Sequence, residues 1–318
     1  SHAFDGVVEV IETHMSWVFL TGSRAFKLKK PVHLPYIDYR TMERRRESCE
    51  NELRLGRRLA PNVYDAVVPL VDTGRGLEIG GAGEVIDWIV VMRRLPEDQM
   101  LPQMLARGEV TPAHADTLGD LLSAFYRDAV RAPWDGAHSR RRLRELIGGT
   151  SNELIERGAR RDIVGAIAAE ALAAIDRETA ALDARIAEGR VVEAHGDLRP
   201  EHVCLEDPPV VIDPLEFDDD LRRLDAASEL VFFALECERL DAAWFGERVF
   251  ARYVHRTGDH VPGTLLRLYR AHHALTRAVI ALRHVDDVEP ADRGKWRAKA
   301  DDYLARAPQA ASARRAST

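Results

Sequence analysis

The 318-residue chain is 46% apolar and 31% charged, with a net charge of −7 and a mean hydropathy of −0.27. That length and apolar content suffice for the cores of two lobes, and no apolar run is long enough to cross a bilayer, so no membrane partner is expected. The acidic balance speaks against a nucleic-acid binder, whose footprint would be basic. The three cysteines, Cys49, Cys204 and Cys237, form no CxxC pair, and with no secretory leader in view the expected setting is the cytoplasm.

In chain order, residues 7–11, 16–20 and 24–29 read as strands, the last two joined by a Thr21-Gly22-Ser23 turn. Lys27 and Lys29 fall on one face of the third, whereas Lys30, before Pro31, reads as solvated. A helix is predicted over 41–59, with Thr41 as its cap, Glu47, Glu50 and Glu52 among its many charges, and Pro61 closing it. Residues 67–71 and 84–92 read as two further strands, the second running into Arg93-Arg94-Leu95-Pro96. The pattern then turns helical. Thr111-Pro112 opens a helix through Leu118, Leu121, Leu122 and Phe125, and another stretch covers about 151–188 with a break near 158–161. Helical periods recur over 221–239 and in three later stretches to about 305, and residues 307–318 read as a disordered tail.

The most informative run is His195-Gly196-Asp197-Leu198-Arg199-Pro200-Glu201-His202, followed by Val203-Cys204-Leu205, a Glu206-Asp207-Pro208-Pro209 turn and Val210-Val211-Ile212-Asp213. The two apolar triplets predict a tight hairpin that returns Asp213 to the side of Asp197. In-line phosphoryl transfer needs little covalent help and much positioning of charge, and this run carries the parts. Asp197 would orient an attacking hydroxyl, and Asp213 would hold a divalent cation through hard carboxylate oxygen. The acidic segment Glu216 to Asp220 borders this run; Asp219 or Asp220 reads as a helix cap, while Glu216 and Asp218 are kept as candidate acceptor contacts.

The run resembles the HGDxxxxN and ID signature of the aminoglycoside phosphotransferase family of the protein-kinase-like fold, and is close to the protein-kinase pattern HRDLKPEN. The resemblance implies that Asp197 is the catalytic Asp, Asp213 the metal-binding Asp, and Arg199 the cation set against the transferring phosphate. His202 stands where the family has a metal-ligating Asn. It could ligate manganese or a similar cation, hydrogen-bond Asp197, or leave Asp213 to hold the metal almost alone. The quartet Arg24-Ala25-Phe26-Lys27 resembles the family strand whose Lys reaches the nucleotide phosphates. Lys27 is therefore the first choice, with Lys29 as fallback, and Glu52 is the best candidate for its helix partner, ahead of Glu50 and Glu47. By position alone, backbone near Arg93 and Leu95 would meet the adenine edge. The turn 12–16 has no glycine, which favours the small-molecule branch over protein kinases; backbone amides and the Ser16 hydroxyl could still contact phosphate there. Asp225 resembles a family Asp that supports the catalytic loop.

More narrowly, the phrases around Ser16, Phe26 and Ile212 resemble an uncharacterised bacterial branch in which such a domain is often fused to a P-loop ATPase domain. This chain has no Walker-type Gly-x-x-x-x-Gly-Lys-Ser/Thr run of its own. The expected fold is thus α+β and two-lobed: an N-lobe over 1–95 with a nucleotide-covering sheet and one helix, a helical C-lobe over 96–306, and the tail. The expected activity is ATP-dependent phosphorylation of a small-molecule hydroxyl on an aminoglycoside, sugar or amino sugar, with Mg2+ or Mn2+. The alternative is a nucleotide-sensing pseudokinase, and the oligomeric state is left open.

Overall fold

The computed structural model describes residues 8–34 and 36–308. Residue 7 of the first predicted strand and residues 309–318 of the predicted tail lie outside that range. The fold is two-lobed and α+β, with a small β-rich lobe and a larger, mainly helical one. The chain divides into two compact units, one made of Ser1–Asp128 with Glu193–Arg223, the other of Ala129–Val192 with Leu224–Thr318.

The first unit is built on strands β1 (Glu9–Glu12), β2 (Ser16–Leu20) and β3 (Arg24–Lys29), the short β4 (His33–Leu34) and β5 (Ile37–Asp38), helix α1 (Met42–Gly56), and strands β6 (Tyr64–Asp72), β7 (Leu77–Ile79) and β8 (Glu84–Arg93). Six of these form an antiparallel sheet in the order β1-β2-β3-β8-β6-β7. The side-chain period of two sorts β3 and β8 onto two faces. Ala25, Val90 and Met92 pack with Cys49 and Tyr64, while Phe26, Ile89 and Val91 pack with Phe19, Leu28 and Val68 on the other face.

Thr41 accepts a hydrogen bond from the Arg44 N–H and so caps α1. The buried stripe of that helix, Arg45, Ser48, Cys49, Glu52, Leu55 and Gly56, recurs at helical spacing but is largely polar. The predicted helix overran to residue 59. Its last residues instead form tight turns, with Arg58 N bonded to Leu55 O and Leu59 N to Gly56 O.

Helices α2 (Leu101–Ala106) and α3 (Pro112–Asp128) complete the first long stretch of this unit. The chain then supplies α4 (Gly136–Glu156), α5 (Arg161–Arg177), α6 (Thr179–Ala187) and β9 (Val191–Glu193), where the sequence suggested one broken helical stretch. Returning to the first unit, β10 (Val203–Cys204) and β11 (Val210–Val211) form the predicted antiparallel hairpin. The short α7 (Asp219–Arg222) and β12 (Arg223–Asp225) follow.

The second unit is a helical assembly of α4–α6 with α8 (Ala226–Arg239), α9 (Ala243–Thr257), α10 (Gly263–Asp287) and α11 (Arg293–Arg306). Helix α10 contributes Leu265, Leu268, Ala271, Leu275, Ala278 and Leu282 to one large apolar core, as a helix covered on several sides must. Inside it, the Arg185 guanidinium bonds Asp225 and Asp259, and Tyr269 donates to Asp225. Asp225 also caps α8 through the Ala227 N–H. The interactions of this carboxylate are thus the packing of its own helical unit.

Candidate active site

Every polar group the sequence singled out, apart from Asp225, lies in the first unit. Because Lys27 and Lys29 are two residues apart on β3, both reach the face covered by α1, where Glu52 is fully buried. Lys27 Nζ donates to Glu52 Oε1 at 2.8 Å and to Asp213 Oδ1 at 2.6 Å. Lys29 Nζ donates to the other oxygen, Glu52 Oε2, at 2.7 Å and to Glu216 Oε1 at 2.5 Å. One carboxylate therefore spans both ammonium groups. Tyr39 adds a hydrogen bond to Glu216 at 2.8 Å and receives one from Ser48 at 2.7 Å.

Burial disfavours the charge on both lysines, but the carboxylates around them prevail and hold both ammonium groups above their ordinary range. Burial likewise opposes ionisation of Asp213 and Glu216, yet Lys27 draws the Asp213 carboxyl, and Lys29 the Glu216 carboxyl, below the usual carboxylate range. The Asp213 side chain is 44% exposed, so its pairing with Lys27 is partly screened, whereas Glu52 and Lys29 are each 1% exposed.

Asp213 sits in a left-handed conformation, with φ of 61°, which a side chain adopts only under constraint. That constraint includes a hydrogen bond from its N–H to the Tyr64 hydroxyl at 2.9 Å. The Tyr64 ring in turn fills the space where a Cβ on Gly56 would stand, 2.3 Å from Cε2, so Gly56 permits the approach.

The catalytic-type loop is held from several sides. His195 Nε2 lies 3.0 Å from the Ile212 carbonyl, and the Asp197 N–H points at His195 Nδ1 at 3.4 Å. This pattern assigns the proton to Nε2 of a neutral ring, and burial pulls its pKa down to about 3. Gly196, with φ of 90°, runs so close to Leu215 that a Cβ would stand 2.8 Å from the Leu215 Cβ. The fully buried Arg222 donates to the Leu215 carbonyl and to Glu193. Arg58 reaches the Glu193 and Ala194 carbonyls at 2.8 and 2.9 Å.

Within the loop, Arg199 Nε donates to Asp197 Oδ2 at 3.0 Å, and its two terminal nitrogens reach Glu201 and His202 Nε2, the latter at 3.0 Å. His202 Nδ1 lies 2.9 Å from the Asp197 carbonyl, and Nε2 is 3.6 Å from Asp213 Oδ2. Lys27, Glu52, Asp213, His202, Arg199 and Asp197 thus form one continuous polar chain. An imidazole and a carboxylate suit a divalent cation as partial ligands. Among the described residues no group of three or more His, Cys, Asp or Glu side chains could hold one.

The remaining expected contacts are disposed differently. Ser16 is buried and paired across the sheet with Lys29, while the turn before it is closed by Thr13. The Arg93 N–H is bonded to the Val63 carbonyl, and its guanidinium grips Glu206 on the hairpin at 3.1 and 2.5 Å. Arg94 N is likewise bonded to Ser23 O, whereas Leu95 follows the last strand and packs against the cluster containing Ala25, Cys204 and Val210.

A profile of the phosphotransferase enzyme family matches residues 17–263. The chain belongs to this family. It is 32% identical over 279 residues to uncharacterised proteins of Mycobacterium tuberculosis and Mycobacterium bovis, a match covering 86% of this chain and 54% of theirs. The chain thus spans about half the length of the curated relatives it matches. Among solved structures, a choline/ethanolamine kinase family protein from Mesorhizobium loti covers 96% of this chain and 88% of its own at TM-score 0.55 and 17% identity. A thermostable mutant of the aminoglycoside phosphotransferase APH(4)-Ia covers 94% of each chain at TM-score 0.52 and 12% identity. At such identities these likenesses speak to the phosphotransferase fold alone.

Sequence reasoning missed several residues that shape this site. The sequence pattern assigns Tyr64 no role and Arg222 only a place within a helical stretch, and it leaves Lys29 a fallback rather than the inner half of a paired site. Glu216, kept as an acceptor contact, is instead buried on Lys29, Tyr39 and Ser48. Asp218, also kept as an acceptor contact, is the cap of α7, accepting from Leu221 N, while Asp219 and Asp220 pair with Arg222 and Arg223.

Proposed function

We propose that the protein transfers the γ-phosphoryl group of ATP to a hydroxyl of a small molecule such as an amino sugar, sugar, aminoglycoside or amino alcohol. The observation that carries this reading is the double grip of Lys27 on Glu52 and Asp213, which sets a charged cradle beside Asp197 and Arg199. Lys27 binds the nucleotide phosphates, with Leu95 backbone and the Ala25 cluster against the base. Ser16 and Arg93 support the sheet and hinge around them. Asp213 and His202 hold a divalent cation, Mg2+ or Mn2+, which when bound offsets charge on the phosphates. Asp197 orients the acceptor hydroxyl and takes its proton as the new P–O bond forms and the bond to the leaving ADP breaks. Arg199 faces the charge on the transferring group. The cytoplasm is the proposed setting. The length of the curated relatives beyond this match leaves room for a further domain, which the sequence resemblance suggests is a P-loop ATPase.

The test is ATP consumption with Mg2+ and with Mn2+ across a panel of those acceptor classes, beside an Asp197→Ala control. Acceptor-dependent turnover falling by about 10²–10⁴-fold in the control, with nucleotide binding retained, supports the reading. Near-normal turnover in Asp197→Ala refutes the role of that residue. The engagement of Asp197 by Arg199, together with His202 in place of Asn, favours a second reading, a nucleotide-sensing module. Metal-dependent ATP binding without transfer to any acceptor would select it.

A further inference from the structure

The environment of His202 fixes where its lone pair points. Nδ1 faces the Asp197 carbonyl at 2.9 Å, an acceptor, so Nδ1 carries the proton. Arg199, a donor only, approaches Nε2 at 3.0 Å, which independently requires the lone pair on Nε2. Asp213 divides its oxygens in a matching way. Oδ1 accepts from Lys27, and Oδ2 stands 3.6 Å from His202 Nε2. Two ligands each ~2.1 Å from one ion stand ~3.0–3.6 Å apart for angles between 90° and 120°. The imidazole and carboxylate are therefore spaced as two neighbouring ligands of a single cation. The His202 ring is 8% exposed and held through the backbone of Asp197, so it is already oriented, as a ligating imidazole bonded through its other nitrogen is.

We propose that His202 and Asp213 form a nitrogen–oxygen site for a first-row transition cation, bound together with the nucleotide phosphates in preference to Mg2+, and that the cation takes the Nε2 lone pair now engaged by Arg199. This rests on the nucleotide-binding part of the proposed function. The physical ground is ligand chemistry. Mg2+ keeps an all-oxygen, near-octahedral shell, whereas imidazole nitrogen raises affinity along the transition series. The Arg199 guanidinium, keeping its bond to Asp197 Oδ2, gives up one terminal contact when the cation arrives.

The experiment uses the full chain with Mn2+ and β,γ-methylene-ATP, whose phosphate bridge carries no nitrogen. Pulsed electron paramagnetic resonance reads directly bound nitrogen from the echo modulation of Mn2+, and protein grown with 15N-histidine separates imidazole from adenine nitrogen. Modulation that changes with the histidine label, and disappears in His202→Asn, supports the site. In that variant the preference for Mn2+ over Mg2+ in nucleotide binding, measured by calorimetry, should fall by about tenfold or more. Because the labelled wild-type protein is itself decisive, the result does not depend on the variant folding. Nucleotide and Mn2+ bound with no histidine-dependent modulation overturns the inference and leaves the proposed function standing. Absence of nucleotide binding with either cation overturns both.

Discussion

The two lysines of β3 should separate stability from activity. Around them stand three carboxylates, Glu52, Asp213 and Glu216, against two ammonium groups. Lys29→Met removes the ammonium shared by Glu52 and Glu216, whose side chains are 1% and 6% exposed, and water cannot replace it. Loss of one partner from a buried pair costs about 3–5 kcal/mol. Lys27→Met leaves Glu52 still bonded to Lys29, and it leaves Asp213 with a side chain 44% exposed and open to solvent. The cost there should be about 1 kcal/mol, in the range of a screened pair. Hydrogen exchange of α1 and β3 amides, read peptide by peptide, should accelerate by roughly a hundredfold to a few thousandfold in Lys29→Met and by about tenfold or less in Lys27→Met. Nucleotide binding should follow the opposite order, with Lys27→Met the more damaging once both proteins are compared in the folded state. Equal destabilisation by the two substitutions would refute the reasoning, because it would mean that the exposure of Asp213 does not relieve it.

Tyr64→Phe should cost about 1–2 kcal/mol by stranding the Asp213 N–H, and should weaken nucleotide binding with Mn2+ in calorimetry. Gly56→Ala, whose new Cβ meets the Tyr64 ring, should weaken it in the same direction; unchanged binding in both would detach Tyr64 from the proposed role of Asp213. In the helical unit, hydrogen bonds from Arg283 foremost, with Arg157 adding to them against the effect of burial, pull the Glu153 carboxyl down to about 2 from an ordinary 4.5. A carboxyl depressed in the folded state contributes stability that is complete above pH 4.5 and is lost as pH falls towards 2. Urea unfolding should show Glu153→Gln losing that part of the acid dependence, with at most about 3 kcal/mol difference from the parent at neutral pH.

The strands and helices that carry strong alternation or clear caps were legible in the sequence. Thr41, the hairpin at Val203 and the central strand at Ile89 announce themselves because local chemistry and global placement agree. The run from His195 to Asp213 stands out for a different reason: its residue types have few other uses at that spacing, and the structure draws Asp197, Arg199, His202 and Asp213 into one polar chain. The aromatic and basic supports were not legible. Tyr64 acts through a hydroxyl 149 positions from its partner, and Arg222 through the Leu215 carbonyl and the distant Glu193 carboxylate, neither of which leaves a trace in a residue pattern. Glu216 was misjudged because an acidic residue after a metal-type Asp looks solvent-facing until Lys29 is known to point inward. The cap of α7 is Asp218 rather than the expected Asp219 or Asp220, since three consecutive aspartates offer no local means of choosing.

The first unit is discontinuous, and this has a biosynthetic consequence. Its sheet and α1 emerge early, but Asp213 and Glu216 come only after α4–α6 of the other unit have been made. A nascent chain ending at residue 128 carries Lys27 and Lys29 with Glu52 as their sole acidic partner from this cluster. Chains grow from the N-terminus and domains fold as units, so the sheet must wait for its late segment before its buried charges are matched. The first unit therefore cannot be excised as a simple N-terminal fragment, and the translated order of its parts makes the hairpin after Asp197 the closing piece of the unit that was started first.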